Sequence, residues 1–182
     1  MKVDYKLMTL TILVVVFIYF LMKRNQSNFG PAAYKLTDLT LPLSEPIRIK
    51  YEFYKSTINA FVSSVAAVTL ATPLPTDSVG VKTMEIKAKN AGDKLIFVMS
   101  LFVSAHNTLI TNMNPPGSTP LSLKKSKIDL LNALAYIDYY VYQLNTYGTT
   151  AGYPPLIADK IRYIKYSYDT LKYHCRQFVY PL

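Results

Sequence analysis

Apolar positions recur at alternating steps of four and three residues in four separate stretches after Ser44. In the first stretch they are Ile47, Tyr51, Tyr54, Ile58, Phe61, Val65 and Val68. This spacing places one apolar stripe along a helix that packs nearly parallel to its neighbours. Ser44, followed by Glu45 and Pro46, predicts the helix start, because a capping hydroxyl, a carboxylate and a proline all suit a first turn. Pro73 and Pro75 are expected to end the helix.

The second stretch is the longest of the four. Its apolar positions are Val81, Met84, Ala88, Ala91, Leu95, Val98, Phe102, Ala105 and Leu109. The sequence Pro115-Pro116-Gly117 ends it, because two prolines in succession cannot continue a helix. Gly92 interrupts the pattern without shifting its register, so the sequence leaves open whether this helix is continuous.

The third stretch has apolar residues at Leu130, Leu134, Ile137, Val141 and Leu144, and it ends at Gly148 and Gly152. The fourth, opened by Pro154 and Pro155, has them at Ile157, Ile161, Ile164, Tyr168, Leu171, Cys175 and Phe178. Four such stripes, short connections rich in proline or glycine, and no comparable strand pattern predict an all-α chain. The expected architecture over residues 45–182 is an antiparallel, up-down-up-down four-helix bundle.

A different pattern occupies the N-terminus, where residues 7–22 form an uncharged run of 16 residues. As a helix this run spans about 24 Å, and basic side chains at its ends extend it towards the roughly 30 Å of a bilayer core. We therefore predict a single transmembrane anchor over residues 1–24. Its apolar positions include Leu7, Ile12, Val15, Phe17, Phe20 and Met22, and the flanking charges are Lys6, Lys23 and Arg24.

Two alternatives to the anchor are disfavoured. A secretory signal peptide has a similar charged start, but it ends at a small-residue cleavage site, which the sequence Met22-Lys23-Arg24 does not provide. A buried core helix is also disfavoured, because a helix that is apolar on every face and bounded by charges rarely suits a small domain. Residues 25–44 contain glycine and prolines with weak periodicity, and they are predicted to be a linker.

The chain has a net charge of +9, and residues 25–182 keep +6 from 16 basic and 10 acidic side chains. A basic domain beside a membrane suits anionic lipid, an acidic protein or nucleic acid. Lys124, Lys125 and Lys127 fall in the predicted first turns of the third helix, where the helix dipole disfavours cations by about 0.3–1 kcal/mol each. They are either a solvated helix start or a basic contact at a membrane-facing end of the bundle.

Tyrosines are concentrated on the last two helices. Residues 136–147 hold several, and the fourth helix carries a set beside its core stripe, at Tyr163, Tyr166, Tyr173 and Tyr180. These rings either flank the core with their hydroxyls in water or form an interface for a protein partner. Binding of nucleic acid is disfavoured, because single-strand binders combine aromatic rings with a dense basic groove and a recognisable module.

Few residues of the sequence are of the types that support catalysis. The chain contains two histidines, His106 and His174, and one cysteine, Cys175, which lies on a core stripe and is expected to be an inert packed thiol. No Glu-x-x-His pair for a di-metal site, no phosphate-binding loop and no nucleophile elbow occurs. We expect no enzymatic activity, no cofactor, no metal and no small-molecule substrate.

The chain is rich in lysine and tyrosine, has one predicted N-terminal anchor ("TILVVVFIYFLMKRN") and lacks an enzyme motif. In these features it resembles the small membrane-anchored minor capsid and membrane proteins of large icosahedral DNA viruses. The resemblance implies a structural role that ties an internal membrane to a capsid shell. The expected partners are a lipid bilayer and other structural proteins, and the expected location is a membrane, crossed once, within a virion. The alternative is a basic helical module that binds anionic lipid or nucleic acid at a membrane surface.

Overall fold

The computed structural model describes residues 34–68, 70, 74, 78–114 and 119–182. They belong to one compact unit that begins at Tyr34. The regular secondary structure in these residues is entirely helical, which confirms the predicted all-α class. The helices are α1 (Glu45–Ala66), α2 (Val79–Met113), α3 (Pro120–Thr150) and α4 (Pro155–Val179). The predicted anchor and its basic flanks, Lys6, Lys23 and Arg24, lie outside the described residues.

The four predicted stripes form the core. Every position that the spacing assigned to a stripe is buried or half-buried. Aromatic rings join the stripes of neighbouring helices: Tyr54 stacks on Phe178 with ring centroids 5.3 Å apart, and Phe61 meets Tyr168 at 5.7 Å. Each buried ring removes a large apolar area from water, so these contacts contribute much of the driving force for packing.

The helices differ in how closely they approach one another. α2 packs most extensively against α3, and α4 packs against both α1 and α3. α1 and α2 have few close backbone approaches, and large side chains reach across the space between them. This wider separation leaves a groove, which the segment before α1 occupies.

In the contacts between neighbouring helices, residues near the end of one helix meet residues near the start of the other. Asn112 near the end of α2 donates from Nδ2 to Oγ of Ser126 in the second turn of α3, at 2.5 Å. The Cα of Gly148, near the end of α3, lies against the side chain of Ile161 in α4. Lys160 in the second turn of α4 donates to the carbonyl of Ala67, just after α1, at 3.1 Å.

α1 begins at Glu45, as the sequence predicted, with Ser44 at the N-cap, although the Ser44 hydroxyl makes no capping hydrogen bond. Two helix ends differ from those that the sequence suggested. α1 ends at Ala66, so Val68 lies beyond the helix that its stripe predicted. α3 continues past Gly148 and ends at Thr150, and the reversal into α4 uses Gly152, whose φ of 77° favours glycine.

α2 is continuous through Gly92, which settles the question that its sequence left open. A glycine costs about 1 kcal/mol relative to alanine in a helix interior, and packing of the flanking apolar residues outweighs that cost. A Cβ at Gly92 would lie 3.0 Å from Cδ1 of Leu70, so the bare backbone lets the α1–α2 connection approach closely.

Among the described residues, one helix, α2, is long and apolar enough to cross a membrane by length and composition. Nearly half of its most apolar stretch is buried within the protein. The core helix of a soluble protein passes the same test, and the apolar residues of α2 pack mainly against α3.

Candidate functional site

Residues 34–44 lie in the groove between α1 and α2 without regular secondary structure, and we call them the strap. Asn107 of α2 holds the strap through both ends of its carboxamide. Its Oδ1 accepts a hydrogen bond from the backbone amide of Thr37 at 2.7 Å, and its Nδ2 donates to the carbonyl of Lys35 at 2.9 Å. One side chain thus satisfies a donor and an acceptor two residues apart, as a neighbouring strand does in a sheet.

Asn114, seven residues after Asn107, repeats this arrangement one step along the strap. Its Oδ1 accepts from the backbone amide of Thr40 at 2.9 Å, and its Nδ2 donates to the carbonyl of Asp38 at 3.2 Å. The Asp38 carboxylate also pairs with Lys55 of α1, which lowers the pKa of the carboxyl through the hydrogen bond and the positive charge. The strap is therefore bonded to both walls of the groove.

Side chains of the strap pack into the groove as well. The hydroxyl of Tyr34 donates to the carbonyl of Ile96 at 3.2 Å, and the amide of Leu39 donates to the hydroxyl of Tyr51 at 3.3 Å. The half-buried strap residues that pack against the core are Tyr34, Leu36, Leu39 and Leu43. These contacts show that residues 34–44, which the sequence assigned to a linker, are packed on the bundle.

The contacts also give the direction of the strap. Tyr34 lies beside Ile96, midway along α2, whereas Thr40 lies beside Asn114 at the end of that helix. The chain therefore enters the unit at the middle of α2, runs to its C-terminal end and then reverses into α1. Lys124, in the second turn of α3, lies near the end of α2 that the strap approaches, because this turn contacts Asn112.

Beneath the strap, His106 is fully buried, with its Nδ1 lying 3.0 Å from the hydroxyl of Tyr54. Its Nε2 is buried without a hydrogen-bond partner. Burial lowers the pKa of His106 to about 4, and the neighbouring backbone of Thr37 offsets only part of this effect. Burial likewise raises the pKa of the Cys175 thiol to about 12, so this thiol stays protonated and unreactive at neutral pH.

All four candidate interface tyrosines, three on α4 and Tyr180 at its C-cap, are exposed, and we call them the tyrosine ridge. Their exposed fractions are 55 % for Tyr163, 69 % for Tyr166, 60 % for Tyr173 and 67 % for Tyr180. The rings of Tyr163 and Tyr166 stack with centroids 6.5 Å apart. Tyr168, two residues after Tyr166 and on the core side of α4, is 1 % exposed and donates to the carbonyl of Leu134 at 2.7 Å. The sequence therefore separated core from surface tyrosines correctly.

Further exposed tyrosines lie on α3, the helix beside α4. They are Tyr136, Tyr139 and Tyr142, which occur in the tyrosine-rich stretch that the sequence showed. Several charges next to the ridge are paired: Arg162 with Asp159 and Lys165 with Asp169 within α4, and Lys172 with Asp138 of α3. Exposed aromatic rings are therefore a main feature that this surface presents to a partner.

The three candidate basic residues lie in the second and third turns of α3. Lys124 and Lys125 are exposed and Lys127 is half-buried. No carboxylate in the described part of the chain forms an ion pair with any of them. The capping box of α3, in which Thr119 and Ser122 bond to each other's backbone, stabilises the helix start despite these cations.

The pockets offer few groups that could support catalysis or metal binding. A shallow groove between α2 and α3 contains Asp129 and Tyr136, and a cavity of about 50 Å³ lies beside Gly92 and Asp93. Neither holds a histidine, a cysteine or a pair of carboxylates. Within the described residues, no group of three or more His, Cys, Asp or Glu side chains is placed to hold a metal ion.

In comparisons with known proteins, no family model, curated protein or solved structure matches the chain. The arguments for function therefore come from the surface of the molecule itself.

Proposed function

We propose that this chain is a membrane-anchored, non-enzymatic structural or adaptor protein that binds a protein partner through the tyrosine ridge. The observation that carries the proposal is the exposure of four tyrosines, three on α4 and one at its C-cap, each more than half exposed. Tyrosine provides a large, rigid contact area at low entropic cost, which makes it common among the residues that dominate binding energies.

The proposed architecture is an N-terminal transmembrane helix followed by an antiparallel, up-down-up-down bundle. The uncharged run at residues 7–22 supports the anchor. The contacts of Asn112 with Ser126, and of Gly148 with Ile161, support the alternating helix directions, because each joins a late residue to an early one.

The strap and the ridge occupy different parts of this arrangement. The strap bonds to α1 and α2, whereas the ridge lies on α4 and its C-cap, and no hydrogen bond or ion pair joins the strap to α4 in the described part of the chain. A partner can therefore bind the ridge while the strap stays in place. This separation suits an adaptor, which must hold its membrane attachment and its partner at the same time.

Site-specific photo-crosslinking in the native source tests the proposal. A photoreactive phenylalanine derivative replaces Tyr173 in one version of the full chain and Thr111, an exposed residue of α2, in a matched control. We expect a protein adduct from the Tyr173 position and none from Thr111. If neither position, or both equally, gave an adduct, the ridge would not be a specific interface.

A stability comparison separates an interface from a core role. Tyr173→Ala in the isolated full chain should change the free energy of unfolding by less than about 0.5 kcal/mol, as expected of a surface change. Tyr168→Ala should cost about 3–5 kcal/mol, because it empties a buried site. Unfolding caused by Tyr173→Ala would assign that ring to the core and remove the proposed interface.

A second candidate function is binding of an acidic surface through Lys124, Lys125 and Lys127, which lack ion-pair partners among the described residues. Changing all three to Gln should weaken binding to anionic vesicles over neutral ones at about 0.1 M salt. The control removes the same charge elsewhere, by changing Lys50, Lys87 and Lys94 to Gln. Equal losses in both variants would indicate a general charge effect, and salt-sensitive binding to DNA instead would favour nucleic acid.

The resemblance to minor capsid and membrane proteins adds a more specific proposal, a link between an internal membrane and a capsid shell. It rests on the lysine- and tyrosine-rich composition and the predicted anchor. Mass spectrometry of purified virions and of host membranes from the same source tests it. Presence of the chain in host membranes alone would contradict it.

A further inference from the structure

The groove between α1 and α2 recognises the strap largely through its main chain. The carboxamides of Asn107 and Asn114 make four hydrogen bonds, all to backbone amides or carbonyls of the strap. The hydroxyl of Tyr51 adds a fifth to the backbone of Leu39. Because these five bonds reach the backbone of residue 35 and of residues 37–40, the groove binds the strap in the way that a sheet edge binds an added strand.

Side chains then select which extended chain fits. Leu36, Leu39 and Leu43 pack against the core, and Asp38 pairs with Lys55. Apolar anchors combined with one charge pair define a sequence preference for the strap itself.

The connection between the strap and α1 is short. The strap runs parallel to α2 up to Thr40, and α1 begins at Glu45, so the chain reverses within residues 41–44, which include Pro42. The hydroxyl of Ser44 makes no capping bond that would fix this corner. Short, constrained connections favour exchange of an element between copies, because opening them relieves the constraint while every groove contact re-forms.

We propose that the groove also binds the strap of a second copy of this chain, so that two copies exchange straps reciprocally. Each groove keeps its bonds to Asn107, Asn114 and Lys55, and only residues 41–44 change direction. The inference does not depend on the tyrosine ridge. Confinement in a membrane, where the predicted anchor places the chain, raises the local concentration of copies and favours the exchange.

Charge-swapped variants of the full chain test the exchange in detergent solution. Asp38→Lys places a lysine opposite Lys55, and Lys55→Asp places an aspartate opposite Asp38, so each variant has like charges in its own groove. When differently tagged variants are mixed, only reciprocal exchange restores opposite charges in both grooves. We expect several-fold more co-purification and cross-linked dimer from the mixture than from either variant alone.

Two controls make the result decisive. The double variant D38K/K55D restores the pair within one chain, so two tagged versions of it should associate no more than wild-type copies do. Adding Asn107→Ala and Asn114→Ala to the charge-swapped pair should abolish their association, whereas copies held together only by a shared micelle would stay associated. No enrichment in the mixture, or enrichment that survives both alanine changes, would overturn the proposal.

Discussion

The hydroxyl of Tyr54 on α1 and Nδ1 of His106 on α2 lie 3.0 Å apart in the core. The two rings also meet, with centroids separated by 5.5 Å. This pair spans the groove between two helices that have few close backbone approaches. Because both side chains are fully buried, protonation of the histidine would place an unpaired charge in the core and weaken this contact between α1 and α2.

Stability should therefore fall in mild acid. Burial lowers the pKa of His106 from an ordinary 6.5 to about 4, so between these values the unfolded chain binds more protons than the folded one. The free energy of unfolding is expected to fall by up to about 3 kcal/mol as the pH drops from 6.5 to 4. Thermal unfolding of the full chain across this range measures the loss.

The matched variant is His106→Leu. Removing His106 should flatten the pH dependence between 6.5 and 4. Equal slopes in the variant and the wild type would show that His106 binds protons equally well in the folded and unfolded states.

The stability of each part of the strap should depend separately on Asn107 or Asn114, the two groove asparagines that bond to its backbone. Asn107→Ala removes the acceptor of the Thr37 amide, and Asn114→Ala removes that of the Thr40 amide. Each change should accelerate hydrogen exchange at its own amide several-fold and destabilise the strap by about 1 kcal/mol. Asn132→Ala, at an exposed position of α3, is the control and should affect neither amide. Unchanged hydrogen exchange at the Thr37 and Thr40 amides would mean that water bonds to these amides as favourably as the carboxamides do.

The sequence predicted the core because one physical rule governs it. A helix that packs on parallel neighbours must place apolar residues every three or four positions, and Leu95, Phe102, Ile137 and Tyr168 follow this rule and are buried. The exposure of Tyr166 and Tyr173 follows from the same geometry, since they lie off the stripe.

The strap could not be predicted in this way. Its residues have no helical or strand period, and its position depends on groove residues some 70 places further along the chain. A signal did exist in the heptad spacing of Asn107 and Asn114, which places two carboxamides on one side of α2. Nothing local, however, indicates what those carboxamides bind, because their partners are backbone groups that every residue carries.

Two phenylalanines of α2 test the register of the core. Phe102 is 2 % exposed and Phe97 is 50 % exposed, so the same change at the two positions removes different amounts of buried surface. Phe102→Ala should lower the free energy of unfolding by about 3–5 kcal/mol, and Phe97→Ala by less than half as much. A loss below about 1 kcal/mol at Phe102, measured by thermal or denaturant unfolding, would contradict the register of α2.

The last prediction concerns the close contact between Gly148 of α3 and Ile161 of α4. A Cβ added to Gly148 would lie 2.5 Å from Cδ1 of Ile161, and both residues are buried, so the isoleucine has little room to move. Gly148→Ala gains about 1 kcal/mol of helix propensity but should lose about 1–3 kcal/mol to overpacking. We expect a net loss, measured as a lower melting temperature.

Two further changes isolate the cause of that loss. Gly80→Ala in α2 meets no atom within 4 Å, so it should be neutral or slightly stabilising. Ile161→Val removes the methyl group that the new Cβ would strike, and alone it should cost about 0.5–1.5 kcal/mol. Combined with Gly148→Ala it should cost less than the sum of the two single changes, because the clash is then absent. Strictly additive losses would show that the effect at Gly148 arises from something other than its contact with Ile161.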